Sequence, residues 1–493
     1  MLEIIKKHRT DIILTVLGLF ISFSAPVDPD FGWHYKYGEH IIQNKEMPRE
    51  NLFSYTFPEY KWANSYWISE IIFYLAYSNL GIIGAGLVFS GFAILTTTAI
   101  LKKAIKEKTN ETTKNLTKIL TTILILIVYD QFKVICRPLL FSSIFLLLLS
   151  YSIIYKPKNL KYSPVLFLLW ANMHADFTLG LGVLGLYNIQ LLLTKGINKK
   201  TIPTYLSSLA SVGVTLINPY GLGLWETLLS ETNNFQFWHI QEWLPLTNKD
   251  FLLVYCGASA LIAISLIELK DKKKNMWLIT SLGIFFLASL RSCYFIRVFI
   301  ILGIIPMCNF IVDVFEISKG VLDEKNSNKV KKASRLVFWF VFLTAGIAFV
   351  ENVLMVRDHE FWAEKAGYPY EAVQFIKENP EEFSGKMFNN YAWGGYLIWQ
   401  LPEHKTFVDG RMPSWRIKDS EGKEYSVFED YTKITREPGE NFGLLEKYEI
   451  KWVLVKKDLV LARFLEGDKS WETIFENEKT IIFQREKGSP QDI

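Results

Sequence analysis

Apolar and polar residues fall along this chain in long blocks. Ile12 to Ala25 is a first apolar run, and further runs are centred near residues 90, 125, 146, 168, 186, 210, 260, 284, 304 and 343. Each is roughly long enough, with tilt, to cross a hydrocarbon layer of about 30 Å, which takes roughly 20 helical residues. The pattern predicts about eleven transmembrane helices. Lys6, Lys7 and Arg9 precede the first run, and Ser22 to Ala25 ends it with small residues, the outline of a signal peptide. The spans that follow argue for an anchor instead.

Lysine and arginine gather in alternate loops, as the charge rule for membrane topology requires. The N-terminus and the stretches Lys102–Lys118, Lys156–Lys161, Lys195–Lys200, Lys270–Lys274 and Lys319–Arg335 fall on one side, expected to be cytoplasmic. The opposite loops are 28–66, 130–137, 172–177, 218–249 and 291–297. They hold Asp28, Asp30, His34, Glu39, Trp62, Trp67 and Glu70; Asp130 and Arg137; Asn172, His174 and Asp176; Asn218, Tyr220, His239, Glu242 and Trp243; and Arg291 and Arg297. Unusual polar residues at span ends therefore share the outer face, while the inner loops offer mostly lysine. A transporter would carry ionisable groups at mid-membrane, where these runs are apolar.

Within the first outer loop Asp30 can cap a helix from Phe31 to about Gln43. Glu46–Tyr60, with Pro48 and Pro58, is extended or turned, and Tyr66–Tyr77 repeats aromatic and aliphatic residues at helical spacing around Glu70. That helix suits the membrane interface, with Trp62, Trp67 and Tyr74 at headgroup depth, before a break at Gly81–Gly86. After Asn352 the chain becomes mixed and charged for about 140 residues, the size of one domain. Helices are expected at Tyr370–Asn379, Trp393–Gln400, Asn441–Tyr448 and Leu459–Leu465, and strands at Lys386–Phe388, Lys405–Val408 and Lys451–Val455. Glu472–Phe475 and Thr480–Gln484 read as a closing hairpin. This alternation predicts a small α/β domain, extracytoplasmic because the last span leads outward.

Composition agrees with a membrane part plus a soluble part: the 493 residues are 50% apolar, 15% aromatic and 21% charged. The formal charge of +4 and the lack of a basic block interleaved with aromatics exclude nucleic acid as a partner. Cys136, Cys256, Cys293 and Cys308 are widely spaced in or beside apolar runs and read as packing residues.

Asp28-Pro29-Asp30 with Trp33-His34, Trp170-x-Asn172-x-His174, Asn218-Pro219-Tyr220-Gly221, Glu242-Trp243, Tyr391-x-Trp393-Gly394-Gly395-Tyr396-Leu397 and Asp409-Gly410-Arg411 occur in that order. In order and placement they resemble a branch of the GT-C integral-membrane glycosyltransferases, over almost the whole chain. The resemblance implies a polytopic α-helical GT-C domain at 1–354, with its first outer loop at 28–66, and a soluble domain at 355–493. It implies a sugar donor carried on a polyprenyl phosphate or diphosphate, and transfer to a lipid, glycan or protein on the outer side of the cytoplasmic membrane. It places an acidic residue of the first outer loop in the active site, here Asp28 or Asp30. The same segment resembles the corresponding loop of oligosaccharyltransferase catalytic subunits, whose tryptophan-rich motif carries an aspartate that reads the acceptor peptide. Ala392-Trp393-Gly394-Gly395-Tyr396 lacks that aspartate, which counts against a peptide-reading role; an oligosaccharyltransferase-like en bloc transfer is the alternative activity.

Such a transfer needs a base for the acceptor hydroxyl and cations for the departing phosphate. Asp28 or Asp30 is the expected base, and Glu242, in a tryptophan-bearing outer loop, is a second carboxylate candidate. Arg137, Arg291 and Arg297 offer guanidinium forks for phosphate, with the competing role of snorkelling to headgroups. Trp33, His34, His174, Asp176, Tyr220, Asp409 and Arg411 complete the expected substrate contacts. Each has a plainer reading: Asp30 as a cap alone, Asn218-Pro219-Tyr220-Gly221 as a turn, Gly394-Gly395 as close helix packing. Oligosaccharyltransferases use a divalent ion, and Asp28, Asp30, His174 and Asp176 are the candidate ligands for magnesium or manganese here, without a diagnostic spacing. A noncatalytic membrane protein that binds glycan or polyprenyl lipid is the reading from outside enzymology.

Overall fold

A computed structural model describes residues 12–13, 16–20, 23, 28–105, 113, 117, 120, 136–230, 240, 243–245, 249–267, 272–321, 324–418, 422 and 424–486. In chain order the principal helices are α1 (Phe31–Asn44), α2 (Trp67–Ala104), α3 (Leu139–Tyr155), α4 (Ser163–Ala171), α5 (Phe177–Lys195), α6 (Ile202–Gly213), α7 (Gly223–Ser230), α8 (Lys249–Ile267), α9 (Met276–Arg291), α10 (Tyr294–Val321) and α11 (Glu324–Arg357). The expected spans near 90, 146, 168, 186, 210, 260, 284, 304 and 343 each fall in one of these helices. That near 125 and most of the first lie outside the described residues. Among the described residues, three helices are long and apolar enough to cross a membrane: α2, α5 and the Tyr294–Val314 part of α10. Leu139–Tyr155, Ile202–Leu216, Tyr255–Ile267 and Met276–Arg291 are shorter apolar helices.

The contacts divide the chain into two units: Met1–Ala25, Asn79–Gly221 and Phe237–Leu354; and Pro26–Ser78, Leu222–Gln236 and Met355–Ile493. In the first, α10 packs with α8, α9 and α3, α4 with α6, and α5 with α9. Several of its hydroxyls are met within the helices or between them, as hydrocarbon favours. Ser143 and Ser150 donate to the carbonyls of Leu139 and Leu146 one turn back, and buried Ser163 and Ser211 share a 2.7 Å bond. Leucines 206, 209, 287 and 290 point outward, the surface a helix shows to lipid. Pro157, Pro164 and Pro203 sit at helix starts, where the missing N–H costs nothing.

The second unit is an α/β body. Beyond α12 (His359–Lys365) and α13 (Tyr370–Glu378), β1 (Lys386–Asn389) leads through α14 (Gly394–Gln400) to β2 (Ile417–Lys418) and β3 (Glu424–Tyr425). Then come α15 (Val427–Arg436), α16 (Pro438–Asn441), α17 (Gly443–Lys447), β4 (Ile450–Lys456), α18 (Val460–Glu466), β5 (Trp471–Glu476) and β6 (Thr480–Arg485). The sheet order is β1-β4-β6-β5, with β1 parallel to β4 and the other pairs antiparallel. The expected hairpin is β5–β6. The helix expected over Asn441–Tyr448 is two short ones, α16 and α17.

Lys405–Val408 is not a strand. The Asn389 side chain accepts from the backbone N–H of Phe407 (2.7 Å) and of Val408 (3.4 Å), so these amides are turned away from a ladder. Thr406 instead makes one isolated bridge with Ser54 of the first outer loop. That loop packs with residues 355–493, sharing a core that includes Trp33, Tyr37, Phe57 and Trp62 with Phe388, Phe407 and Trp415. Trp62 is therefore a core residue, 6% exposed, and not an interfacial anchor. Helix α2 begins within this unit and breaks at Gly81, whose φ of 66° and ψ of −176° only glycine adopts readily.

Candidate functional site

Two clusters of polar residues emerge, one in each unit. In the α/β unit, Asp28 is 5% exposed and its Oδ1 accepts the Asp30 backbone N–H at 2.8 Å, closing a small turn before α1. Asp30 is half-buried. It stands at the cap position, yet its side chain makes no capping bond because its backbone is already helical (φ −83°, ψ −16°), whereas a capping residue is extended. Its Oδ1 accepts instead from Trp33 Nε1 at 3.0 Å. The next residue, His34, stacks against the Trp33 ring with centroids 3.6 Å apart. Its Nδ1 bonds Glu70 Oε1 at 3.0 Å, and Asn64 donates to Glu70 Oε2 at 2.6 Å.

Glycines set the close approach around this turn. A Cβ on Gly32 of α1 would strike the carbonyl oxygen of Gly395, and one on Gly395 would strike that of Pro29. Gly394-Gly395 thus serves backbone-to-backbone packing of α1 on α14, the plainer of its two readings.

Asp409-Gly410-Arg411 is part of the same cluster in an unexpected way. Arg411 Nε and Nη2 donate to Asp409 Oδ1 (2.7 Å) and Oδ2 (2.6 Å), a fork on a carboxylate. Nη1 reaches Tyr37 Oη of α1 at 2.7 Å, and Nη2 reaches Asn51 Oδ1 at 3.1 Å. The guanidinium lies 5.5, 5.3, 6.0 and 5.3 Å from the ring centroids of Tyr37, Phe53, Trp62 and Trp415. Both side chains are 0% exposed. Burial alone would push the Arg411 pKa down, but Asp409 and then Tyr37 hold it above the ordinary arginine value. The Tyr37 hydroxyl is pushed up to about 12, by burial first. Asp409 and Arg411 form an internal clasp between the first outer loop and the C-terminal segment.

In the helical unit, Asp176 sits in the turn between α4 and α5. Its Oδ2 accepts from Arg297 Nη2 of α10 and its Oδ1 from Tyr294 Oη, both at 2.5 Å. Arg297 is 1% exposed and also donates to Ser143 Oγ at 3.2 Å. Burial would raise the Asp176 pKa, but Arg297, His174 and Tyr294 outweigh it and hold the carboxyl below its ordinary value. His174 Nδ1 accepts the Asp176 backbone N–H at 3.1 Å and lies 2.9 Å from Ser142 Oγ, which takes the Trp170 indole N–H at 2.6 Å. Burial pushes the His174 pKa down to about 4; Asp176 opposes this, while Arg297 and Arg137 add to it. The imidazole is then neutral at pH 7, and its 3.7 Å approach to Asp176 Oδ2 is not an ion pair. Trp243 stacks flat on Tyr294, with centroids 4.6 Å apart and planes 9° from parallel.

The remaining candidates are quickly placed. Arg291 ends α9, exposed. Asn218 Oδ1 accepts the Tyr220 N–H at 2.7 Å, and Gly221 has φ 57°, so Asn218-Pro219-Tyr220-Gly221 is a turn held by its asparagine. Glu242 lies outside the described residues. Sequence reasoning did not single out Tyr37, Asn51, Asn64, Ser142 or Tyr294 as partners of these groups, since an uncharged side chain gives no sign of which distant residue it meets. Glu70 did carry a signal, as a carboxylate inside an aromatic helix.

Of the expected ligands for a divalent ion, Asp176 is the poorest fit. Both Asp176 oxygens are engaged, one by a buried guanidinium whose charge repels a second cation. One oxygen of Asp28 accepts a backbone N–H, and one of Asp30 an indole N–H. Among the described residues, the one group of three ligand atoms mutually close enough for an ion is exposed Glu360, Glu364 and Glu371.

No family model and no curated protein matches the sequence. Solved structures do match the fold. The oligosaccharyltransferase of Archaeoglobus fulgidus in the apo form superposes with a TM-score of 0.55 at 11% identity, covering 98% of this chain and 75% of that one. ArnT from Cupriavidus metallidurans in the apo state gives 0.51 at 11% identity over 96% of both chains. The same ArnT bound to undecaprenyl phosphate gives 0.49 at 11% over 96% of both. Both enzymes are GT-C glycosyltransferases, and this chain has a GT-C-like fold.

Proposed function

We propose that the protein is a multi-pass membrane glycosyltransferase that moves a sugar from a polyprenyl-phosphate-linked donor to an acceptor on the extracytoplasmic face. About eleven spans, a cytoplasmic N-terminus and an outer C-terminal segment accompany this reading. The observation that carries it is the GT-C-like fold, matched over 96–98% of the chain, together with an acidic pair at the mouth of the first loop helix. Of that pair Asp30 is the better base. It is half-buried, whereas Asp28 is 5% exposed and committed to the turn.

In the reaction the acceptor oxygen bonds to the anomeric carbon while the bond from that carbon to the phosphate oxygen breaks. The electron pair leaves with the phosphate, and Asp30 takes the hydroxyl proton. Within the helical unit, Arg137 and Arg297 near neutral His174 set two positive charges against the Asp176 carboxylate. That net positive charge has the sign an anionic group needs, and Arg291 is a further outer-face cation. The likeness to an oligosaccharyltransferase favours en bloc transfer as the second reading.

The test is mass analysis of membrane lipids from cells lacking the gene. A polyprenyl-linked sugar should accumulate, disappear on restoring the wild-type chain, and persist with Asp30→Asn. A noncatalytic lipid or glycan binder would be indicated if Asp30→Asn restored the lipid profile as fully as wild type.

A further inference from the structure

We propose that Arg411 is a positioning residue for Asp30, acting through the turn Asp409-Gly410-Arg411; this rests on Asp30 being the base. The turn stands on both sides of the acidic loop. Its arginine grips Tyr37 of α1 and Asn51 beyond it, while Asp409 holds that arginine in place. Its central Gly410 lies against the base itself. A Cβ built there would overlap Asp30 Oδ1 and come within 3.1 Å of Asp30 Cγ and 3.4 Å of Trp33 Nε1. One carboxylate oxygen is thus fixed from two directions, by the Trp33 indole N–H and by the wall that Gly410 forms.

Such support matters because a reacting group displaced by about 1 Å loses a large part of its effect. Arginine suits the task. It holds four of these bonds in one rigid plane, fills a cage of aromatic faces, and stays charged at every physiological pH. Asp409-Gly410-Arg411 therefore serves the chemistry without meeting the substrate. Residues 355–493 in turn supply part of the first loop's active geometry.

The test uses the full chain, purified in lipid nanodiscs, with polyprenyl-linked sugar extracted from cells lacking the gene as the donor probe and a membrane extract as the acceptor source. Gly410→Ala leaves the clasp in place but pushes on the Asp30 carboxylate. It should keep the thermal midpoint and the donor KM while kcat falls at least tenfold. Gly439→Ala, whose Cβ meets only Phe464 at 3.6 Å, should match wild type in all three. A purely structural role would instead change stability and leave kcat per folded molecule intact. Arg411→Lys loses the fork, and amide exchange across Phe31–Asn44, measured without substrate, should speed up at least tenfold. Wild-type kcat in Gly410→Ala, or unchanged exchange in Arg411→Lys, overturns the inference. If Asp30→Asn itself turns over like wild type, the catalytic reading of Asp30 falls as well; if Asp30→Asn is dead while Gly410→Ala is fully active, only the positioning role falls.

Discussion

Replacing Asp409 by asparagine should destabilise the α/β unit more than any surface charge change. The carboxylate accepts four hydrogen bonds: Arg411 Nε and backbone N–H on Oδ1, Arg411 Nη2 and Thr406 Oγ1 on Oδ2. Asparagine keeps the shape but removes the charge and turns an N–H₂ donor toward one of these donors. Arg411 is then a cation with no counter-charge and no access to water. Breaking a buried pair in this way costs about 3–5 kcal/mol. For a unit of roughly 200 residues, each kcal/mol moves the midpoint about 2–4 °C. A fall of about 6–20 °C is expected, read by the melting of unit-specific tryptophan fluorescence in detergent. Because the pair is dry, 0.5 M salt should change the fall little. Glu449→Gln, which breaks an exposed pair with Lys386, should move the midpoint by no more than about 4 °C. Asp409→Asn melting within about 2 °C of wild type would refute the reasoning that the clasp is a buried ion pair.

His174 predicts a pH dependence in the helical unit. Its folded pKa of about 4 lies below the ordinary 6.5, so the unfolded chain gains a proton first as pH falls. Stability is full above pH 6.5 and is lost as pH drops toward 4, by about 3 kcal/mol in all. Asp176, held below its ordinary 3.8, adds its own loss only at lower pH. His174→Gln should flatten the melting midpoint between pH 7 and 4.5, and an unchanged slope would contradict the assignment. Gly395→Ala sets a methyl against the Pro29 carbonyl, which cannot rotate away, and should cost about 1–3 kcal/mol or more. Gly182→Ala in α5, with nothing within 4 Å, should be neutral or stabilising by about 0.5–1 kcal/mol.

The periodic features of this fold were legible in the residues. Apolar blocks placed the helices, and alternation located β4 and the β5–β6 hairpin, because burial acts on each of these segments as a whole. Lys405–Val408 misled because its strand-like residues are held by the side chain of Asn389, 18 positions away for Phe407. Asp30 was found, but its role as a cap depended on a backbone angle that its neighbours set. Arg411 was singled out for its charge. That this charge is met by Asp409, Tyr37 and Asn51 follows from which loops the fold brings together. His174 and Asp176 were chosen as a pair of neighbours, while Arg297, the main group holding the Asp176 carboxyl ionised, lies more than a hundred residues on.

The central claim, that the chain transfers a sugar from a polyprenyl carrier, is tested most directly with the purified chain in nanodiscs. Lipid-linked sugar extracted from cells lacking the gene is added with a membrane extract as the acceptor source, and the polyprenyl carrier is followed by mass. The account predicts that wild type releases the sugar-free polyprenyl phosphate as the sugar appears on a second molecule, and that Asp30→Asn leaves the donor intact. Donor unchanged by wild type, or consumed equally by Asp30→Asn, would contradict it.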